Sequence, residues 1–370
     1  MKIFNPIFLF LVVLLAVMAA TSQVKPPADK DDVIRVDTQL VDVPVAVIGE
    51  KGNAVAGLKK GDFKVFEDGK PQEIVDFSAT TEPFEVALLL DTSGSTRSDL
   101  QLIQRAANEF VASLRSGDRV SVTAYRSDVS DGRAFAASET LSRLTGDRNA
   151  LRNAIASAKM SGGTPLYDSI IQIVEDVFRD APAGDLRGRR ALVALTDGVD
   201  STSSAGFAEI KEKLSKLGIV CFFIKVDTRE FFEEGLLGDC QSATRFSAAQ
   251  IRRYYRSLGA KGNYEKATSF CQLGEFERLA VSKKLYEIAD AEMLELTRMS
   301  GGKVFPLGEL SDAREAFKSV ADELGSKYTL GYYPSNEKRD GTYRKIRVEV
   351  RGQPAGTQVR ARDGYTAPKD

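Results

Sequence analysis

The stretch VALLLDTSGS at residues 86–95 joins an apolar run directly to an acidic, hydroxyl-rich segment. Two further apolar runs stand later in the chain, ALVAL at 191–195 and IVCFFI at 219–224. Continuous apolar runs of this length are typical of strands buried on both faces, as in a parallel sheet that is covered by helices. The runs therefore predict strands of such a sheet, with residues 91–95 in a loop after the first of them.

Helical patterns lie between these runs. Apolar residues recur every three to four positions from Ile103 to Leu114, and again from Leu166 to Val177 after Pro165, which suits a first helical turn. A later helical pattern is expected to end at Gly301 and Gly302, and a strand is expected to follow them. Alternating strands and helices predict a doubly wound, mostly parallel α/β sheet.

Two β-rich segments flank the α/β pattern. Neither has enough strands to bury a face alone, so they are expected to pack together as one small β-sandwich. The predicted domains are an N-terminal β segment at 33–82, the α/β domain at 83–310, and a helix with a C-terminal β segment at 311–370. Residues 228–274, called the insert below, interrupt the α/β domain.

The N-terminal residues indicate export. Lys2 precedes an apolar run at 7–20, which fits a signal peptide and is shorter than the ~20 residues of a membrane-spanning helix. Residues 1–20 are therefore interpreted as a signal peptide and 21–32 as a polar linker, which predicts a secreted, periplasmic or cell-envelope protein with no membrane span after cleavage. An uncleaved membrane anchor is the alternative.

The three cysteines fall into two groups. Cys240 and Cys271 lie in a polar stretch, and export would permit a disulfide between them, although sequence alone does not prove connectivity. Cys221 lies within an apolar run and is expected to be a buried thiol.

Composition excludes several function classes. With 51 Lys+Arg, 52 Asp+Glu and a net charge of -1, the chain has no polyelectrolyte signature for binding nucleic acid. It contains no histidine, which excludes Ser-His-Asp and Cys-His nucleophiles and every His-ligated metal site. A metal would have to be held mostly by oxygen.

Five oxygen-bearing residues stand where such a metal could bind. Asp91, Ser93 and Ser95 follow the first apolar strand, Thr164 precedes a helix, and Asp197 follows the strand at 191–195. Ligands of open α/β sheets bind outside the carboxyl ends of the strands. An all-oxygen set suits a hard cation such as Mg²⁺. The three hydroxyls would bind directly and the two carboxylates mainly through water, so that the cation can accept a carboxylate from another molecule.

This constellation resembles the metal-ion-dependent adhesion site of von Willebrand factor A (VWFA) domains, and all five positions match. The resemblance covers about residues 85–310 apart from the insert. The flanking sequences Phe63–Gly69 and Leu330–Pro334 resemble secreted acidobacterial VWFA-related proteins. The resemblance implies a Rossmann-like domain that binds Mg²⁺, or Mn²⁺ or Ca²⁺, and mediates protein–protein contact rather than catalysis.

The predicted function is an adhesion-type module whose cation binds an acidic residue of a partner protein. The alternatives are a metal-dependent hydrolase or phosphatase, and an envelope assembly factor without a working metal site. Aspartyl-phosphate chemistry usually needs a second acid near the nucleophile, but Ser93 stands two positions after Asp91. The chain also has no phosphate-loop motif.

Other charged residues are interpreted as surface. Asp128 and Asp200 are expected to be solvated, as is the segment at 187–190. Residues 252–256 are expected to form a solvated helix face with half-buried tyrosines. Cation binding at the predicted site is expected to vary little between about pH 6 and 8, because carboxylates are already ionised there.

Overall fold

The structure of the protein is a computed structural model, which describes residues 40–50, 53–78, 82–94, 100–130, 133–180, 182, 188–259 and 269–369. The predicted signal peptide and linker lie outside these residues. Within them, no helix combines the length and apolar character needed to cross a membrane.

A six-stranded sheet in the order β10-β9-β8-β5-β6-β7 forms the centre of the α/β domain. Its strands are β5 (Glu85–Leu90), β6 (Arg119–Ser130), β7 (Arg133–Thr145), β8 (Arg190–Thr196), β9 (Val220–Val226) and β10 (Lys303–Leu307). All neighbours are parallel except β7, which runs antiparallel to β6 at the edge. The three apolar runs form β5, β8 and β9, which confirms the predicted α/β sheet.

Helices cover both faces of this sheet. The described α-helices are α1 (Leu100–Ser113), α2 (Arg148–Ser157), α3 (Leu166–Gln172), α4 (Phe207–Leu217), α5 (Arg229–Glu234), α6 (Ala248–Ser257), α7 (Glu275–Ser300) and α8 (Ala313–Gly325). Of these, α5 and α6 belong to the insert and pack on α7 rather than on the sheet. The side chains of β5 alternate between a core shared with α1, α2 and α8 and a core shared with α3, α4 and α7.

Helix α8 belongs to the α/β domain. Phe317 of α8 packs against Phe110 of α1, with ring centroids 5.1 Å apart, and its apolar face joins the core that covers β5. This packing corrects the assignment of the helix to the C-terminal β segment, because its buried contacts are with the sheet and α1.

The β-sandwich consists of two four-stranded sheets, in the orders β13-β1-β11-β4 and β14-β12-β2-β3. Its strands are β1 (Val41–Ile48), β2 (Phe63–Glu67), β3 (Lys70–Gln72), β4 (Ile74–Ser78), β11 (Tyr328–Tyr332), β12 (Tyr343–Val350), β13 (Gln358–Ala361) and β14 (Gly364–Thr366). N-terminal strands pair antiparallel with C-terminal ones, and one apolar core lies between the sheets. The predicted two-ended sandwich is confirmed.

A buried carboxylate joins the two chain ends inside the sandwich. Glu67 of β2 is only 2% exposed and accepts hydrogen bonds from the hydroxyls of Tyr332 (2.7 Å) and Tyr365 (2.9 Å). The Arg344 guanidinium lies 3.3 Å away and supplies the opposite charge. Since the partners come from β11, β12 and β14, one side chain of the N-terminal segment is bonded to three C-terminal strands.

We expect Glu67→Ala to lower the free energy of unfolding by about 3–5 kcal/mol, because it removes the buried counter-charge of Arg344 and leaves only the exposed carboxylate of Asp340, 3.8 Å away. Glu349→Ala is the matched control, since Glu349 is exposed on the neighbouring β12 and its ion pair with Arg347 lies in solvent. Urea unfolding monitored by circular dichroism measures both changes. Similar losses for the two variants would contradict a special role for Glu67.

Two arginines at the start of β8 lie at the junction of the domain and the sandwich. The buried Arg189 guanidinium donates to the carbonyl oxygens of Glu82 (2.6 Å), Pro83 (2.9 Å) and Lys327 (3.1 Å). Arg190 is buried against Glu85. The prediction that these two arginines lie on the surface is therefore wrong. The buried backbone segments that connect the domain to the sandwich carry carbonyl groups, and these need hydrogen-bond donors.

The insert has a small core of its own on helix α7. This core contains Leu236, Phe246, Ile251, Phe270 and Leu273 of the insert and Val281 and Leu285 of α7. Cys240 and Cys271 form a disulfide with their Cα atoms 5.2 Å apart, which confirms the predicted pair. Cys221 is a buried free thiol, as predicted.

Helix α6 of the insert matches its prediction with one exception. Arg252 and Arg256 are exposed, and Tyr254 and Tyr255 are half-buried. Arg253 instead turns inward and pairs with Glu292 of α7.

Candidate metal centre

Three loops meet at the carboxyl edge of the sheet. Residues 91–94 follow β5, residues 197–203 follow the adjacent β8, and residues 161–165 precede α3. The Ser161 amide donates to the Thr92 carbonyl (2.8 Å), and the Ser201 amide donates to the Thr164 carbonyl (3.0 Å). The middle loop is therefore bonded to both of the others.

Asp91 is fully buried and held through both carboxylate oxygens. Its Oδ1 accepts hydrogen bonds from the amide and the hydroxyl of Ser93, and its Oδ2 accepts one from the Thr196 hydroxyl (2.7 Å). Burial, together with the nearby charge of Asp197, raises the pKa of Asp91 to about 7. The expectation that all site carboxylates are ionised between pH 6 and 8 is therefore wrong for Asp91 in the cation-free protein.

Asp197 is also buried, and each of its oxygens has a partner. Oδ1 accepts from the Val199 amide (2.9 Å) and Oδ2 accepts from the Thr228 hydroxyl (2.7 Å). The next residue, Gly198, has φ +79°, and a Cβ there would lie 2.8 Å from Cε of Met293 in α7. Glycine thus permits both the turn and the close packing of α7 behind it.

Thr164 presents a hydroxyl at this edge. The residue is 3% exposed, its amide donates to the Ser201 hydroxyl (2.8 Å), and among the described residues its own hydroxyl has no hydrogen-bond partner. A Cβ on Gly163 would lie 2.9 Å from Cγ2 of Thr202, so glycine lets this loop approach the loop after β8. Ser95 lies outside the described residues, and its role stays a prediction.

Comparisons with known proteins concern the fold of this part of the chain. Residues 86–199 match the family model described as von Willebrand factor type A domain. This part of the chain is similar to VWFA domains. A search of curated protein sequences found no match.

Solved structures with similar folds come from several sources. A von Willebrand factor type A structure from Catenulispora acidiphila has 14% identity and a TM-score of 0.40, covering 90% of this chain and 75% of that one. Proximal thread matrix protein 1 from the mussel byssus has 14% identity and a TM-score of 0.39, covering 74% and 49%. The conserved hypothetical protein BatB from Bacteroides thetaiotaomicron has 16% identity and a TM-score of 0.36, covering 65% and 98%. The chain thus spans about half of the mussel protein.

Asp200 is not the solvated residue that was expected. It is 7% exposed, and its Oδ2 accepts from the Tyr167 amide (3.2 Å) at the start of α3 and from the Ser203 hydroxyl. Burial raises its pKa to about 6. Asp128 does match its prediction: it is partly exposed and pairs with Arg126 (2.7 Å).

Acidic side chains surround the candidate site. Asp91, Asp197 and Asp200 are all buried there, and the phenol of Tyr125 is buried beside them without a hydrogen-bond partner among the described residues. Burial and the charges of Asp91, Asp200 and Asp197 hold the pKa of Tyr125 well above its ordinary value. Such a setting favours a bound cation.

The donor set is composed of hydroxyls as well as carboxylates. In the described ranges, no group of three or more His, Cys, Asp or Glu side chains is placed to hold a metal. A cation at this edge would therefore need the serine and threonine hydroxyls. These are hard oxygen donors, and they fit Mg²⁺.

Proposed function

We propose that this protein is a secreted or cell-envelope, adhesion-type interaction module without enzymatic activity. It binds a divalent cation through Asp91, Ser93, Ser95, Thr164 and Asp197, and the cation binds an acidic side chain of a partner protein. The observation that carries the proposal is the junction of three loops, where two buried carboxylates lie beside the hydroxyl of Thr164, which has no hydrogen-bond partner among the described residues.

The roles of the donors follow from their hydrogen bonds. The Ser93 hydroxyl donates to Asp91, and a hydroxyl oriented in this way directs its lone pairs away from the carboxylate. Both oxygens of Asp197 accept hydrogen bonds from the protein, which suits contact with the cation through water. Neutral ligands leave a bound Mg²⁺ electrophilic, so a carboxylate of another protein completes its coordination.

The location rests on two features. Disulfides persist in oxidising compartments, and the Cys240–Cys271 disulfide therefore supports a site of action outside the cytoplasm. The apolar run at 7–20 supports export through a signal peptide.

Titration calorimetry with Mg²⁺ tests the cation site. Wild type is expected to bind, and Asp91→Asn is expected to weaken binding by about 100-fold, because it removes a buried charge from the site. Asp128→Asn is the control, since Asp128 is partly exposed and paired with Arg126. Equal binding by wild type and Asp91→Asn would contradict the proposed site.

A pull-down from envelope extract separates the functional classes. A partner retained with Mg²⁺ by wild type, and lost with EDTA or with Asp91→Asn, supports the interaction module. Phosphate release from a substrate panel by wild type, absent in Asp91→Asn, would support the hydrolase instead.

A further inference from the structure

A chain of buried hydroxyl groups runs from helix α7 to the carboxylate of Asp197. The Thr228 hydroxyl lies 2.7 Å from Oδ2 of Asp197 and 2.8 Å from the phenol oxygen of Tyr286. Thr228 is 4% exposed and Tyr286 is 6% exposed, so water does not compete for these contacts.

The direction of these hydrogen bonds is determined by the number of hydrogens. A threonine hydroxyl has one hydrogen, and here it goes to the carboxylate of Asp197. Tyr286 must therefore donate its hydrogen to Thr228. Burial and the charge of Asp197 raise the pKa of Tyr286, so the phenol keeps the hydrogen that it donates.

These hydroxyl groups are also in contact with the insert. Thr228 immediately precedes helix α5, and the Tyr286 ring contacts Phe232 of that helix, with centroids 6.5 Å apart. Phe232 in turn packs on Phe246, which belongs to the core of the insert. Movement of the insert would therefore displace the groups that orient Asp197.

A second connection reaches the Thr164 loop. Arg253 of α6 pairs with Glu292, which also accepts a hydrogen bond from the Tyr167 hydroxyl (2.6 Å). The guanidinium lies over the Tyr167 ring, 5.2 Å from its centroid. Tyr167 stands three residues after Thr164, so the insert contacts both sides of the candidate site.

We propose that Thr228 and Tyr286 are positioning residues for Asp197, through which the insert sets the geometry of the cation site. This inference rests on the proposed function for its cation-binding consequence. The reason is geometric: the Val199 amide holds Oδ1 and Thr228 holds Oδ2, so loss of the threonine hydroxyl lets the carboxylate rotate away from the cation.

Four variants test the proposal by Mg²⁺ calorimetry. Thr228→Val keeps the side-chain shape and removes the hydroxyl, and it is expected to weaken Mg²⁺ binding by about 10–100-fold. Thr228→Ser keeps the hydroxyl and should bind nearly as wild type does. Tyr286→Phe should show a smaller loss than Thr228→Val. Tyr255→Phe is the matched control, since it removes a hydrogen bond from the insert to Glu277 of α7 away from the site.

A cation-independent readout accompanies these titrations. In EDTA, amide hydrogen exchange at Val199 should be faster in Thr228→Val than in wild type, because the acceptor of that amide is less firmly held. Unchanged exchange together with unchanged Mg²⁺ affinity would overturn the proposal, as would equal losses in Thr228→Ser and Thr228→Val or in Tyr255→Phe and Tyr286→Phe. Failure of wild type to bind Mg²⁺ would contradict the proposed function, while the exchange rates would still decide whether Thr228 positions Asp197.

Discussion

Replacing Gly302 with alanine is expected to lower the free energy of unfolding by at least about 4 kcal/mol. Gly302 stands between the end of α7 and the start of β10, and a Cβ there would overlap the carbonyl oxygen of Cys221 in β9. That carbonyl is part of the backbone of β9, which is buried at this position and lies between β8 and β10 in the sheet. No side-chain rotation can relieve the overlap, so the strands must separate.

The other end of β10 provides the control for this substitution. A Cβ on Gly308 would have nothing within 4 Å, and its φ is not in the left-handed region. Gly308→Ala is therefore expected to change the free energy of unfolding by less than about 0.5 kcal/mol. Urea unfolding followed by circular dichroism and tyrosine fluorescence compares the two. A small loss for Gly302→Ala, similar to that for Gly308→Ala, would show that β9 and β10 are not packed as described.

The elements that the sequence predicted are those with strong local patterns. β5, β8 and β9 are buried on both faces, so each contains an unbroken apolar run. The sandwich was predictable because neither flank could bury a sheet alone. By contrast, β6 and β7 were not identified, since β7 is an edge strand with mostly half-exposed side chains and many small or polar residues.

The site was predictable to the extent that its residues stand next to strand and helix ends. Asp91 and Asp197 each follow a central strand directly, and Thr164 stands just before α3. The contacts that orient them were not predictable, because they join distant positions: Thr228 is 31 residues from Asp197, and Tyr286 is 58 residues from Thr228. The expectation that Asp200 is solvated was wrong for the same reason. Its carboxylate accepts a hydrogen bond from a backbone amide of α3, a helix that begins 34 residues earlier in the sequence.

The affinity for Mg²⁺ is expected to fall by about tenfold for each pH unit below 7, and to be nearly constant above pH 8. Burial and the charge of Asp197 raise the pKa of Asp91 to about 7 in the cation-free protein, so below that pH a cation must displace a proton. Calorimetry from pH 5.5 to 8.5, in buffers of different ionisation enthalpy, measures both the affinity and the number of protons released.

The free energy of unfolding of the cation-free protein should fall as the pH rises, whereas the affinity for Mg²⁺ should increase. An unfolded aspartate ionises near pH 3.9, whereas folded Asp91 ionises near its raised pKa of about 7, so folding binds a proton between these values. This group therefore makes the folded protein less stable as pH rises from about 4 to 7, and bound Mg²⁺ should offset the loss.

Because the chain has no histidine, the protons released on Mg²⁺ binding can be assigned to carboxyl groups. The groups expected to titrate near pH 6–7 are carboxyls, because the side chain that usually does so is missing from the chain. Asp91→Asn should abolish proton release along with tight binding, whereas Asp128→Asn should keep the wild-type pH profile. Mg²⁺ affinity that is flat from pH 5.5 to 8.5 in wild type would show that Asp91 is already ionised at pH 5.5 or does not face the cation. The pH profile therefore tests the burial of Asp91 and its role at the site in one measurement.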